Sequence, residues 1–161
     1  MSNKFKKLIP ILLLLSLVFV GCGQTATETA ANPMQYVNVE DLKADVESGS
    51  SEFIMLDVRK AEDFDAAHLV GAYAADLDAA KNGDAEDGTA KLEAALEEAT
   101  GSATGNDGEK YALICYSGKS YAQTATDLMV EMGISADQIY TVEGGMTAWE
   151  EGGDDYKALM E

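Results

Sequence analysis

The sequence predicts an α/β fold, a single domain whose central parallel β-sheet is flanked by helices on both faces. Three observations predict it. Apolar runs of strand length alternate with segments whose apolar residues recur at helical spacing. In the clearest runs, residues 53–56 and 111–114, apolar side chains stand next to one another rather than at every second place, the pattern of strands covered on both faces. Once a leader and short end segments are set aside, roughly 120 residues remain, which suits one core.

The elements follow in order. Residues 36–39 read as a brief extended segment. A helix begins at about Glu40, with Val39, Leu42 and Val46 on one face, Asn38 as its cap and Gly49 as its end. Residues 53–56 (Phe-Ile-Met-Leu) are a buried strand leading into Asp57-Val58-Arg59; a short helix over 62–67 and a brief strand over 70–74 come next. Residues 83–89 read as loop, 90–99 as a surface helix rich in Ala, Leu and Glu, and 101–109 as a second glycine-rich loop. None of that middle stretch suggests chemistry. Residues 111–114 (Tyr-Ala-Leu-Ile) are a strand that runs straight into Cys115 and Gly118. Ala122, Ala125, Leu128, Met129 and Met132 then recur at helical spacing, with Gly133 as the stop and the methionines as core filler. Residues 138–142 are the last strand, and Gly144 and Gly145 allow a tight turn into a final helix holding Trp149, a packing residue. The domain is expected over 36–153, with 154–161 as a C-terminal tail.

The start of the chain reads differently. Lys4, Lys6 and Lys7 precede an apolar run over residues 8–20, the layout of a secretory signal peptide, and the run is short for a permanent membrane span. It ends in Phe19-Val20-Gly21-Cys22, which looks like a lipobox. Residues 1–21 are therefore expected to be cleaved off. Cys22 then carries lipid, of the palmitate kind, and the domain sits outside the cytoplasm, touching the bacterial cell membrane through that anchor only. An ordinary signal peptide that leaves Cys22 free is the alternative. Residues 22–35, small and polar with Thr25, Thr27 and Thr29, read as the lipidated cysteine and a flexible linker.

Charge narrows the partners. Residues 1–21 hold three lysines and no acid, so their removal takes the formal net charge from -18 to about -21. Such a field disfavours nucleic acid and anionic lipid surfaces, although most of these carboxylates read as a solvated surface. Neither a coiled-coil pattern nor a large apolar patch suggests assembly, so a monomer is expected. With one histidine, no Cys-x-x-Cys and no glycine-rich phosphate motif, no metal and no cofactor are expected. The chain has two cysteines, and if Cys22 takes lipid, Cys115 is the sole thiol in an oxidising environment. Composition leaves two readings open for it, a nucleophile or sulfur carrier and an inert buried cysteine.

Position favours the first. Reactive groups in an open parallel sheet collect at the carboxyl ends of strands, where Cys115 is expected. It is followed by Tyr116, Ser117, Gly118, Lys119 and Ser120, a short loop whose successive N–H groups, together with the dipole of the next helix and Lys119, favour a thiolate and an anionic sulfur donor. Tyr116 and Ser117 line the pocket by position alone. His68, the only histidine, admits a Cys–His pair as well as a structural role, and Asp57 with Arg59, the only arginine, reads as a structural ion pair.

Leu56-Asp57-Val58-Arg59, His68-Leu69-Val70-Gly71-Ala72, the loop from Cys115 to Ser120, and Glu143-Gly144-Gly145-Met146-Thr147-Ala148-Trp149 resemble, in order, the successive signatures of the rhodanese family. The resemblance implies a small α/β domain that takes sulfane sulfur from thiosulfate, polysulfide or a persulfide, stores it on Cys115, and passes it to a thiol or cyanide. It also implies structural roles for Asp57, Arg59 and His68, the last in a turn. Two departures stand out. Many active members carry arginine at the sixth loop position, where this chain has Ser120, and Lys119 lacks the planar fork that grips an oxyanion, so thiosulfate is expected to be a poor donor. Val70 replaces a common proline. The alternative to turnover is a sulfur- or redox-sensing or protein-binding module using Cys115. A cysteinyl-phosphate phosphatase would need arginine where Tyr121 stands.

Overall fold

Five strands form one sheet, and every pairing in it is parallel. They are Gln35–Val37 (β1), Phe53–Asp57 (β2), Tyr73–Ala74 (β3), Lys110–Ile114 (β4) and Ile139–Val142 (β5), in the order β1-β5-β4-β2-β3. The computed structural model describes residues 30–161, so the expected signal peptide, Cys22 and the first part of the linker lie outside the described residues. Helices Val39–Ser48 (α1), Ala61–Ala66 (α2), Asp78–Lys81 (α3), Ala85–Thr100 (α4), Ser120–Glu131 (α5), Gly145–Glu151 (α6) and Asp154–Lys157 (α7) connect and cover the strands.

Successive strand side chains point to opposite faces, and β4, at the centre of the sheet, shows why its run is continuously apolar. Tyr111 and Leu113, with Cys115 beyond the strand, enter a cluster built by Leu92 and Leu96 of α4 and Ala122, Ala125 and Met129 of α5. Ala112 and Ile114 enter the opposite cluster, with Leu42 of α1 and Met146 and Trp149 of α6. Each face thus has its own apolar layer, and the α/β architecture with helices on both sides is what the alternation predicts. At the start of α1, Asn38 Oδ1 accepts the Asp41 N–H at 2.7 Å, and Gly49 ends the helix at φ +65°.

Other expectations are corrected. Of residues 83–89 only the first two lie outside a helix, because Asp84 accepts the Asp87 N–H at 3.1 Å and caps α4, which starts at Ala85. Gly88 is no breaker. A Cβ at that position would collide with Ala80 Cβ and lie 2.9 Å from Leu128 Cδ1, so glycine lets α4 lie against α3 and α5. The short helix α3 was not anticipated, and the strand expected over 70–74 keeps only Tyr73–Ala74 because residues 70 and 71 are drawn into a turn.

The two ends of the domain extend further than expected. Residues 154–161 do not hang free as a tail: Trp149 buries its indole and needs an acceptor, which the Tyr156 carbonyl provides at 2.9 Å, with the two rings edge to face at 5.1 Å. Beyond α7, Leu69 and Met160 form an antiparallel bridge, and the Val70 N–H donates to the Leu159 carbonyl at 3.0 Å. At the other end, Gln35, placed in the linker, pairs with β5. Asn32 donates through its backbone and side chain to Asp127 Oδ1 at 2.8 and 2.9 Å and accepts from Gln123 Nε2 at 2.8 Å, so the described end of the linker is docked on α5.

Candidate active site

β4 stops at Ile114, whose carbonyl accepts the Val58 N–H at 2.8 Å and so joins the exits of β2 and β4. Cys115 follows at once, 1% exposed, on the floor between the sheet and α5. The chain then turns through Gly118, at φ +65°, into Lys119 and the first turn of α5.

The loop is shaped by the turn after β5. Gly145 lies so close to it that a Cβ there would collide with the Cys115 carbonyl oxygen and lie 2.8 and 2.9 Å from the nitrogens of Ser117 and Gly118. A Cβ on Gly118 would in turn lie 2.7 Å from the Val142 carbonyl oxygen. Backbone packs on backbone here, and both glycines have positive φ, +65° and +57° for Gly118 and Gly145. The contact is stitched by hydrogen bonds. Met146 N–H donates to the Cys115 carbonyl at 2.8 Å, and Thr147 gives its N–H and hydroxyl to the Tyr116 carbonyl at 3.0 and 2.8 Å. The loop's carbonyls are therefore held toward α6, while among the described residues no protein acceptor takes the N–H groups of residues 116–120. The first turn of α5 carries no acidic residue, unlike those of α1, α2 and α4, which leaves its positive dipole end uncompensated.

Tyr116 is half-buried; its hydroxyl donates to Asp63 Oδ2 and accepts the Lys60 N–H at 3.3 Å. Burial, reinforced by Asp63, pushes its phenol up to about 12. Ser117, Lys119 and Ser120 are exposed and Gly118 is buried. Ser117, Gly118 and Lys119 also border a shallow depression of about 440 Å³ shared with Tyr36, Glu143 and Thr147.

Asp57 and Arg59 are both buried and lie at the exit of β2. Arg59 Nε donates to the two Asp57 oxygens at 3.0 and 3.1 Å, Nη2 to Oδ2 at 2.7 Å, and Nη2 also to the Ala67 carbonyl at 2.8 Å, tying α2 back to the strand. Burial opposes the guanidinium charge, but the Asp57 hydrogen bonds and charge outweigh it and hold Arg59 above its ordinary value. The pair is saturated by its own contacts and by the turn it closes. His68 sits elsewhere. It stacks on Phe64 with ring centres 3.7 Å apart, its Nδ1 lies 2.9 Å from the Phe64 carbonyl, and its Nε2 lies 3.7 Å from Glu161. No hydrogen bond joins it to Cys115 among the described residues, and the adjacent Leu69 packs into the apolar layer on the opposite face of the sheet.

A family model for the rhodanese-like domain matches residues 38–152. The chain belongs to the rhodanese-like domain family. No curated protein sequence matches it significantly. Among solved structures it is similar to the rhodanese-like domain of the Alr3790 protein from Anabaena sp., at 19% identity, covering 80% of each chain with a TM-score of 0.56. It is similar also to the human single-domain sulfurtransferase TSTD1, at 19% identity, covering 76% of this chain and 100% of that one with a TM-score of 0.53. A Rhodopseudomonas palustris protein of unknown function, described as a possible tyrosine phosphatase, is 19% identical, with 75% of this chain and 83% of that one covered and a TM-score of 0.51. At these identities the likeness is one of fold.

In this rhodanese-like domain, several residues at the site were not found from sequence. Thr147 fastens the loop, and Tyr121 donates to Asp78 Oδ1 at 2.6 Å while its ring meets that of Tyr116. Thr147 sits inside a quoted motif, but nothing in the motif marks its hydroxyl. Asp63 and Asp78 were not singled out, and the sequence carries no signal that either reaches a tyrosine. Among the described residues no group of three or more metal-ligating side chains gathers, and no helix is long and apolar enough to cross a membrane.

Proposed function

We propose that this protein is a sulfurtransferase in which Cys115 is the nucleophile and carries sulfane sulfur as a persulfide. The observation that carries this reading is the placement of Cys115 beneath a loop whose N–H groups at Tyr116, Ser117, Gly118, Lys119 and Ser120 have no protein acceptor. Backbone donors left without a protein acceptor beside a thiol can stabilise a thiolate and the terminal sulfur of a persulfide. In the first half-reaction the thiolate attacks the sulfane sulfur of a donor, the donor's S–S bond breaks, and its former partner leaves with the electron pair. In the second, an acceptor thiolate or cyanide takes that sulfur and Cys115 leaves as thiolate.

The test is mass spectrometry of the full chain after incubation with thiosulfate or a polysulfide, beside a Cys115→Ser variant. A sulfur-sized mass gain that cyanide or a dithiol removes, present only with Cys115, supports the mechanism; no gain with any donor overturns it. A second reading, a sensing or protein-binding module that turns over slowly, is favoured by two observations, Ser120 at the sixth loop position and the 1% exposure of Cys115. Steady-state turnover separates the two.

We further propose that the domain works outside the cytoplasm as a monomer, held to the cell membrane by lipid on Cys22, with a small sulfur donor and a thiol acceptor as partners and no nucleic acid. The sequence around Phe19-Val20-Gly21-Cys22 supports this. Metabolic labelling with a fatty acid, lost in Cys22→Ala, checks it.

A further inference from the structure

The first half of β2 has no neighbour on its outer side. β3 pairs only with Leu56 and Asp57, and the residues just before Tyr73 form a turn instead of a strand. That turn is held elsewhere, since the Val70 N–H donates to the Leu159 carbonyl at 3.0 Å and the Gly71 N–H to Glu161 Oε1 at 3.4 Å. A slot of about 310 Å³ is left beside Phe53, Ile54 and Met55, with Val70 at its border. Val46 and Gly49 of α1 wall it on one face of the sheet, and Ala99 of α4 with Tyr73 on the other. The backbone groups that face it follow from the ladder. The Val58 N–H points to the Ile114 carbonyl of β4, and the Asp57 carbonyl points the other way, to the Ala75 N–H at 2.8 Å. By alternation Phe53 and Met55 also face outward. Asp45 Oδ2 takes the Phe53 N–H at 3.1 Å, and the Met55 carbonyl serves the pairing of Leu56 with Tyr73. Only the inner pair is open: among the described residues neither the Phe53 carbonyl nor the Met55 N–H has a protein partner. Met55 is buried, which makes an N–H without an acceptor costly.

We propose that this slot binds an extended, apolar and basic peptide segment of a partner protein by strand addition, with one residue pairing opposite Ile54 in the parallel sense. A residue placed there gives its N–H to the Phe53 carbonyl and accepts the Met55 N–H, so a single peptide residue satisfies both open groups. An antiparallel strand would need the Phe53 N–H and the Met55 carbonyl, which are already taken. The walls set the character of the side chains. The residue opposite Ile54 points to the face of Ala99, and the one before it to the face of Val46, both apolar surroundings. Asp45 is the one charged side chain that lines the slot, and Lys110, beside Phe53 on β4, is paired with Glu52 at 2.6 Å. The Asp45 carboxylate is held below its ordinary value by Ser50 and by the N–H groups of Glu52 and Phe53, so it opposes an acidic occupant and favours a basic one. The slot lies toward the amino end of the sheet and Cys115 at the carboxyl end, so the inference holds whether or not Cys115 carries sulfur.

The experiment follows amide hydrogen exchange residue by residue by nuclear magnetic resonance in the full chain, alone and with the peptide acetyl-Lys-Val-Ala-Val-amide. Alone, the Met55 amide is expected to exchange at least roughly tenfold faster than those of Ile54 and Leu56, which face β4. Saturating peptide is expected to slow Met55 by roughly tenfold, the size of one hydrogen bond, and to leave the amides of residues 116–120 unchanged. The same peptide with its alanine N-methylated lacks the N–H for Phe53 and is expected to give no protection. Glutamate in place of the lysine is expected to weaken binding by roughly threefold or more. Ala99→Phe fills the slot and is expected to abolish the effect. Met55 exchange that the peptide does not slow, or that the N-methylated peptide slows equally, overturns the inference. Slowing that appears without peptide and grows with protein concentration puts a second copy of this chain in the slot and overturns it as well. The comparison of the two peptides on the wild type decides the matter even where the Ala99 variant fails to fold.

Discussion

At the scale of single residues, the loop is held by a glycine that is not in it. Because a Cβ at Gly145 meets the Cys115 carbonyl oxygen and the nitrogens of Ser117 and Gly118, Gly145→Ala must push the loop away from α6. The expected cost is about 2–4 kcal/mol, from backbone strain at positive φ and lost loop hydrogen bonds, read in urea unfolding. Sulfur loading of Cys115 should fall with it; an unchanged unfolding midpoint would refute the account. A second residue carries a pH prediction. Burial disfavours the Asp45 carboxylate, but Ser50 and the N–H groups of Glu52 and Phe53, at 2.8 and 3.1 Å for the last two, outweigh it and lower its pKa below the ordinary 3.8. A lowered carboxylate stabilises the fold above its unfolded value and loses that contribution as pH falls through the folded one. Asp45→Asn should therefore cost about 1–3 kcal/mol at pH 7, with a gap from wild type that closes as pH drops below 3.8. A gap independent of pH would sink it. Cys115 was legible in the sequence because a strand end followed by a glycine-containing loop is a local pattern. The partners Asp63, Asp78 and Thr147 were not, because each reaches its tyrosine or carbonyl across the fold.

At the scale of elements, the clearest strands were legible from their unbroken apolar runs, and α1 and α5 from helical spacing and end residues. What failed were the short pieces. β3 has two residues and α3 four, too few to show any period. α4 began early because Asp84 outweighed a glycine that reads as a breaker but serves as a contact. The end segment was misread because its partner is remote: α7 and residues 159–161 close on Trp149 and on the turn at residues 68–70. Truncation after Gly153 is thus expected to cost about 2–4 kcal/mol through lost contacts of Tyr156, Leu159 and Met160. Trp149 is the only tryptophan, so a red shift of its emission, alongside a lower melting temperature, reports the loss directly. A truncated chain that melts like the intact one would show the segment to be dispensable.

At the scale of the whole molecule, 29 acidic side chains face 11 basic ones, and the only buried ion pair among the described residues is Asp57 with Arg59. The exposed pairs Lys43–Glu47 and Lys110–Glu52 cannot offset that imbalance. Raising salt from about 10 mM to 150 mM should stabilise the domain by about 1 kcal/mol, roughly 4 °C in Tm, as self-repulsion is screened. A Tm that falls with salt would mean that ion pairing outweighs repulsion. The docking of Asn32 on Gln123 and Asp127 has a consequence of another kind. Gln123 lies less than one helical turn beyond Ser120, so the leash from the proposed anchor fastens beside the reactive mouth. Cys22 and Asn32 are ten positions apart, which allows at most about 35 Å of slack. Were Cys22 lipidated as proposed, the loop would stay within a layer about as deep as the bilayer is thick. An acceptor fixed in the same layer would then find it by search in two dimensions, while a thiol dissolved in bulk would gain nothing from the tether.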